Sequence, residues 1–273
     1  MLKKWNIKPF AIVSDNASNM KSTANKLQVQ NLGCVAHTIQ LSINVGLQIP
    51  EIAELLTRCR RLLNHFSHSV QATETLLAQQ KLILDRNARK DKPLYLITDT
   101  PTRWNSTFMM LERMHKIHQA LDITCKINNM SEIKLHLNEW NRIEELLELL
   151  QPFYDVTNIL SGESYPTVSL VYPIITGLYE TLQKKSTKHK LNQKLKETVC
   201  HDIQVRYINP IEAQEYTTIK LACILDPRCK NLDFLNSTQK QQAWSLLQQT
   251  FDAALPTASS ITNPTIDQMV NFV

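Results

Sequence analysis

Glycine occurs only four times in the 273 residues, where ordinary usage of about 7% would give roughly nineteen. Gly-rich phosphate loops, glycine-turned hairpins and all-β barrels are thereby disfavoured, and a helix-rich chain is expected. No apolar run reaches the roughly eighteen residues that a membrane-spanning helix needs. The start, Met1-Leu2-Lys3-Lys4-Trp5, lacks the apolar stretch and small-residue site of a secretory leader. No CxxC pair exists among the six cysteines, which are widely spaced. Buried thiols in a reducing compartment are the expectation, not a disulfide framework. No GxSxG elbow, Walker motif or dinucleotide fingerprint is present, so hydrolase and nucleotide-binding readings have no motif behind them.

With 43% apolar and 20% charged residues, the chain can bury a sizeable core without staples. The net charge is +5. Residues 1 to 50 hold five lysines (Lys3, Lys4, Lys8, Lys21, Lys26) and one acid, Asp15, whereas the remainder is nearly neutral. Such a front-loaded excess suits either a polyanion partner or an ordinary solvated face.

Apolar patterning predicts a buried strand over Lys8 to Ser14, a helix over Ala17 to Leu27 and a second strand over Leu32 to Ala36. Helices are predicted over Thr38 to Val45, Glu51 to Phe66 and Ser69 to Asn87, then a linker over Lys81 to Lys92 and a short strand at Leu94 to Ile97. Phe108, Leu111, Met114 and Leu121 recur at helical spacing, as do Trp140, Ile143, Leu147 and Leu150, with Pro152 as the stop. Further helices are expected over Thr167 to Gln183, kinked at Pro173, and over Leu191 to Tyr207, Glu212 to Ala222 and Ser237 to Leu255. The fold class is therefore α/β at the front and mostly α after it.

Asp15 follows a predicted strand and precedes a helix, the place where α/β sheets carry functional groups. It suits Mg²⁺-dependent phosphoryl chemistry, and it suits a helix cap equally. Asp99 repeats the apolar-run-then-Asp pattern, so an Asp15/Asp99 pair competes with a plain turn at Asp99. Cys34 and His37 have zinc-like spacing, with Cys59, His65 and His68 as irregular partners. Arg103-Trp104-Asn105-Ser106 joins a fork-shaped cation, a large π face and an amide, which could hold a phosphate and stack an unpaired base, or could simply begin a helix on a core tryptophan. Arg228, in Asp226-Pro227-Arg228, is a turn residue or a phosphate contact.

Four segments in order carry a resemblance: Val13-Ser14-Asp15-Asn16-Ala17-Ser18-Asn19-Met20, Cys34-Val35-Ala36-His37-Thr38-Ile39-Gln40-Leu41, Thr102-Arg103-Trp104-Asn105-Ser106-Thr107 and Leu225-Asp226-Pro227-Arg228-Cys229-Lys230. Together they resemble the hAT superfamily of DNA transposases and the domesticated BED-type zinc-finger proteins derived from it. The resemblance implies an RNase H-like catalytic domain split by an all-helical insertion. It therefore implies a partial RNase H-like segment over 1–50, a helical insertion-like region over 51–255 and a linker or disordered tail over 256–273. It also implies that Asp15 is the second of three Mg²⁺-holding carboxylates, and that Cys34 and His37 are a CxxH motif beside DNA. By the same resemblance Trp104 stacks on a flipped base with Arg103 on an adjacent phosphate. The first carboxylate of the family has no acidic counterpart before Asp15, and no segment like the downstream glutamate-bearing dimerisation region follows. The expectation is a nuclear, transposase-derived module that is inactive as given, without a cofactor of its own, binding DNA or protein, with any homodimer made through a segment not in this sequence and no membrane role. The alternatives are a fragment of an active Mg²⁺-dependent transposase and a helical scaffold without nucleic-acid contact.

Overall fold

The computed structural model describes residues 11–15, 17–87, 91–162, 167–212 and 217–254. Among these, strand β1 (Ala11–Ser14), helix α1 (Ser18–Lys26) and strand β2 (Gln30–Gly33) make one β-α-β unit, whose strands pair in parallel with Ala11 opposite Gln30 and Ser14 opposite Gly33. Helices follow: α2 (Val35–Leu47), α3 (Pro50–His68), α4 (Val70–Arg86), α5 (Trp104–Lys116), α6 (His118–Ile127), α7 (Leu137–Leu160), α8 (Val168–Lys184) and α9 (Lys190–Ile203). A π-helical turn at Gln204–Ile208 leads into α10 (Asn209–Glu212), and α11 (Thr217–Leu225) and α12 (Ser237–Ala254) close the set. Helix-rich with few strands is thus the observed class. No helix among the described residues is long and apolar enough to cross a membrane.

The helices exist because their apolar positions recur on one face. In α3, Ile52, Leu55, Leu56, Cys59, Leu62, Leu63 and Phe66 are all buried at i, i+3, i+4 and i+7 spacings. Pro50 sits in the first turn, where its missing N–H costs nothing. One continuous core runs from Val35 in α2 to Ala243 in α12. Helices α2 and α9 meet at Gly46, where an added Cβ would lie 2.8 Å from Val199 Cγ2. Beside that contact Ser42 Oγ donates to Asp202 Oδ2 at 2.5 Å, and Arg206 pairs with the same carboxylate at 2.6 Å.

Scarcity of glycine shows in the helix ends. Helix α1 ends with Gln28 at φ 54°, and α6 with Asn129 at φ 52°. In each the following residue donates five positions back, Val29 to Ala24 O at 3.1 Å and Met130 to Cys125 O at 2.8 Å. Both are left-handed stops of the kind glycine usually fills.

Four expectations need correction. The first strand is not fully covered among the described residues: Val13 is 55% exposed, lining a cleft that no element fills, and β1 pairs with β2 alone. Leu94 to Ile97 is not a strand. Among the described residues no strand pairs with it, and side chains take that place: the Gln80 amide both donates to Leu94 O and accepts from Leu94 N, and Arg113 donates to Tyr95 O. Pro152 does not stop its helix. Phe153, Thr157 and Leu160 beyond it are buried, so packing outweighs the lost bond, and Lys185 Nζ donates to Glu148 O, the carbonyl that Pro152 cannot reach. The linker over Lys81 to Lys92 is helical as far as Arg86. The tail 256–273 lies outside the described residues.

Candidate nucleic-acid interface

The parallel register puts the ends of both strands side by side. Ser14 faces Gly33, and Cys34 N donates to Ser14 O at 2.6 Å, so Asp15 and Cys34 emerge together at the carboxyl edge. Asp15 is exposed. Ser14, buried between them, donates to Asn31 Oδ1 at 2.8 Å and so locks the two strand ends. Cys34 is the residue before α2, and His37, half-buried, lies one turn further on.

One turn beyond His37, Gln40 Nε2 donates to Thr102 O at 2.8 Å. That bond moors the residue before Arg103, and with it the start of α5, to α2. The α5 entry is tied by Ser106, whose hydroxyl accepts from Thr100 N at 2.8 Å and reaches Arg103 O at 2.7 Å. Asp99 anchors the same entry to α3: its carboxylate takes Arg60 Nε at 3.1 Å and Nη2 at 2.7 Å, and the Thr107 hydroxyl at 2.7 Å. Burial pushes this carboxyl up, but the hydrogen bonds from Arg60 and Thr107 prevail and hold it below the usual aspartate value. Both oxygens are engaged in fixing α5, which is a larger role than the turn residue expected at Asp99.

Arg103 is exposed, and no described residue pairs with its guanidinium. Trp104 is the opposite, at 1% exposure. Its indole meets Phe108 and Tyr154 edge-on, with centroids 6.3 and 6.5 Å away, and its Nε1 is buried with no acceptor. A base could stack on this ring only after the start of α5 had moved.

The fourth segment arrives from α11. Asp226, whose side chain is 10% exposed, accepts from Arg228 Nη2 at 2.6 Å and from Ser169 Oγ at 2.6 Å. The Arg228 hydrogen bonds, with that of Ser169, hold the Asp226 carboxyl well below its usual range. Ser169 belongs to the first turn of α8, where neighbouring Val168 and Val171 line an apolar cleft with Cys34, Ala36 and Val13. The first two segments thus meet at the strand ends, the third is bonded to α2 through Gln40, and the fourth is bonded to the α8 turn that lines the cleft beside Cys34, although Asp15 and Arg228 lie far apart in the chain.

The zinc alternative fails on geometry. Cys59 is buried in the core, and burial, helped by Glu139, pushes its thiol up to about 12. Among the described residues no three His, Cys, Asp or Glu side chains form a group able to hold a metal. Gln40 lies within the second quoted segment, but neither its type nor its spacing signals the long-range bond by which it joins two motifs.

Residues 32–149 match the family described as ZBED1 RNase-like helical domain. A Talaromyces stipitatus protein, tpeD, provisionally named a transcriptional regulator, is 30% identical over 222 residues, covering 67% of this chain and 25% of its own length. Zinc finger BED domain-containing protein 4 of Homo sapiens is 24% identical over 249 residues, covering 87% of this chain and 19% of its own. A Zea mays protein provisionally named an AC transposase is 26% identical over 255 residues, covering 85% and 30%. The chain thus spans about a quarter of the length of these curated relatives.

Proposed function

From the premise that this chain is a relative of the hAT-type AC transposases and of the BED-type zinc-finger proteins, we propose that it is a transposase-derived module that contacts DNA in the nucleus without cutting it. The observation that carries the reading is the linkage of the four segments: Asp15 and Cys34 at the strand ends, the Arg103 segment bonded to α2 through Gln40, and the Arg228 segment bonded through Ser169 to the α8 turn beside Cys34. Arg103 is the phosphate contact there, an exposed fork on a rigidly tied helix start. Trp104 holds that start in place from beneath. The segment 1–50 acts as the RNase H-like part and 51–255 as the insertion-like part.

The family's Mg²⁺ does not fit the described residues by themselves. Asp15 is one exposed carboxylate that belongs to no group of three His, Cys, Asp or Glu side chains among them, and paired metal ions need several oxygen ligands. No chemical step is derived through the metal. One observation favours a second reading, an active transposase: Asp15 is exposed at a sheet's carboxyl edge, ready to meet carboxylates supplied from elsewhere.

Fluorescence anisotropy with labelled duplex DNA tests the proposal. Arg103→Gln and His37→Ala weaken binding while leaving the circular dichroism spectrum and melting temperature unchanged. If the wild-type chain binds no duplex even near 50 mM salt, where phosphate contacts are strongest, the scaffold reading replaces it.

A further inference from the structure

The net charge of the region after residue 50 conceals a dense cationic block. Between Lys184 and Lys196 stand six lysines (184, 185, 188, 190, 194, 196) and no acid. Two are absorbed by the fold: Lys185 Nζ donates to Glu148 O, and Lys196 Nζ to Lys185 O. Lys184 sits 3.8 Å from Glu180, both side chains open to water, which is worth little. Lys188, Lys190 and Lys194 are exposed and form no ion pair with a described residue.

Their placement contradicts local helix physics. Lys190 opens α9 and Lys194 follows one turn later, and no acidic residue occupies the first turn. Cations at a helix start oppose the macrodipole, and like charges four residues apart repel. One neighbouring carboxylate is turned away from the lysine side chains. Glu145 is turned onto the backbone N–H groups of Lys188 and His189 and the amide of Asn192. Lys190 and Lys194 line a groove with Arg142, whose Nη2 is held by the backbone oxygen of Glu51 at 3.2 Å and whose Nε is buried without an acceptor. Glu51 and Glu197 stand in the same groove, and Glu197 is taken up by Gln193 Nε2 at 2.7 Å. Glu51 and Glu197 offset two of the four cations at the groove and its rim, and the positive excess that remains favours an anionic partner.

We propose that the groove at the start of α9, formed by Arg142, Lys190 and Lys194 with Lys188 beside it, binds the phosphate backbone of duplex DNA independently of base sequence. The inference rests on the DNA reading above and adds to it a second contact surface, on an element separate from the motif-bearing end. Spaced lysines suit a run of phosphates because each neutralises one charge and releases one counterion. Arg142, fixed by Glu51, supplies the one rigid fork among them.

The test is the salt dependence of anisotropy for a random-sequence duplex bound by the whole chain, its K188Q/K190Q/K194Q variant and its Arg103→Gln variant. Three lost phosphate contacts lower the slope of log affinity against log salt by about 2.7, which is about 40-fold in affinity between roughly 50 and 200 mM salt. The triple variant is expected to show that flattened slope with an unchanged melting temperature. If the triple variant binds as the wild type does while Arg103→Gln is impaired, the groove proposal is overturned and the motif end stands alone. If only the triple variant is impaired, the groove stands and the contact at Arg103 falls. Absence of any duplex binding overturns the groove as a DNA site, and inositol hexakisphosphate binding that the triple variant abolishes would reassign it to small polyphosphates.

Discussion

Truncation of Asp99 to alanine removes the clamp that fixes the start of α5. The variant loses two charge-assisted bonds from Arg60 and one from the Thr107 hydroxyl, which is 2% exposed. Breaking a fully buried ion pair costs about 3–5 kcal/mol. The Arg60 side chain is 34% exposed, so water can resolvate it and the pair's share falls to about 1–2 kcal/mol. The stranded Thr107 hydroxyl adds about 1 kcal/mol, for a total near 2–3 kcal/mol. Urea unfolding at pH 7 measures it as a shifted midpoint with an unchanged slope. The pH dependence supplies the sign. Because Asp99's folded pKa is depressed, its contribution is complete above the unfolded value, about 3.9, and is lost as pH falls through the folded value. The gap between wild type and Asp99→Ala must therefore be constant from pH 7 to about 5 and close below about 4. A loss under about 0.5 kcal/mol, or a gap that stays open in acid, would refute the clamp, and an Arg60→Ala double-mutant cycle would show the pair uncoupled.

Gln28→Gly should stabilise the fold by about 1 kcal/mol, since a non-glycine residue at φ 54° carries a left-handed penalty; thermal melting checks it, and destabilisation would mean that the Gln28 side chain has a role at the α1 stop. Gly46→Leu should unfold or rearrange the α2–α9 contact, whereas Gly46→Ala should cost about 1–3 kcal/mol less its helix-propensity gain; the stiff Val199 side chain decides the sign. Trp104→Ala should cost about 3–5 kcal/mol as a core cavity, and Trp104→Phe far less, because it also removes an unpaired buried N–H. In native protein, iodoacetamide followed by peptide mass spectrometry should label Cys34 and Cys229 well before buried Cys59, Cys125 and Cys223.

Helix positions were legible wherever apolar side chains repeat on one face, as from Phe108 to Met114, because core contact imposes that period. Boundaries failed where tertiary contacts override a local signal. Pro152 is a stop by rule, yet Lys185, thirty-odd residues on, meets the carbonyl it frees. Leu94 to Ile97 has a strand's composition, but a strand exists only with a neighbour, and the Gln80 amide is the neighbour it has. At the motif end, Asp15 and Cys34 could be placed together from the β-α-β pattern. The mooring of Arg103 through Gln40 and the seating of Asp226 on Ser169 could not, since neither partner announces itself by type or spacing. The lysine block before α9 vanished into a regional sum in which distant acids cancel it.

Strand β2 and helix α11 touch through Thr218 and Gln30, 188 residues apart. This has a meaning for the newborn chain. At a synthesis rate of about 5–20 residues per second, the first strands wait roughly 10–40 s on the ribosome before the helix that flanks them emerges. During that interval Ile12 and Leu32 have no finished home. The β-α-β unit is thus made well before the helix that helps to seat it, and its dependence on chaperones should be set by translation speed as much as by thermodynamic stability.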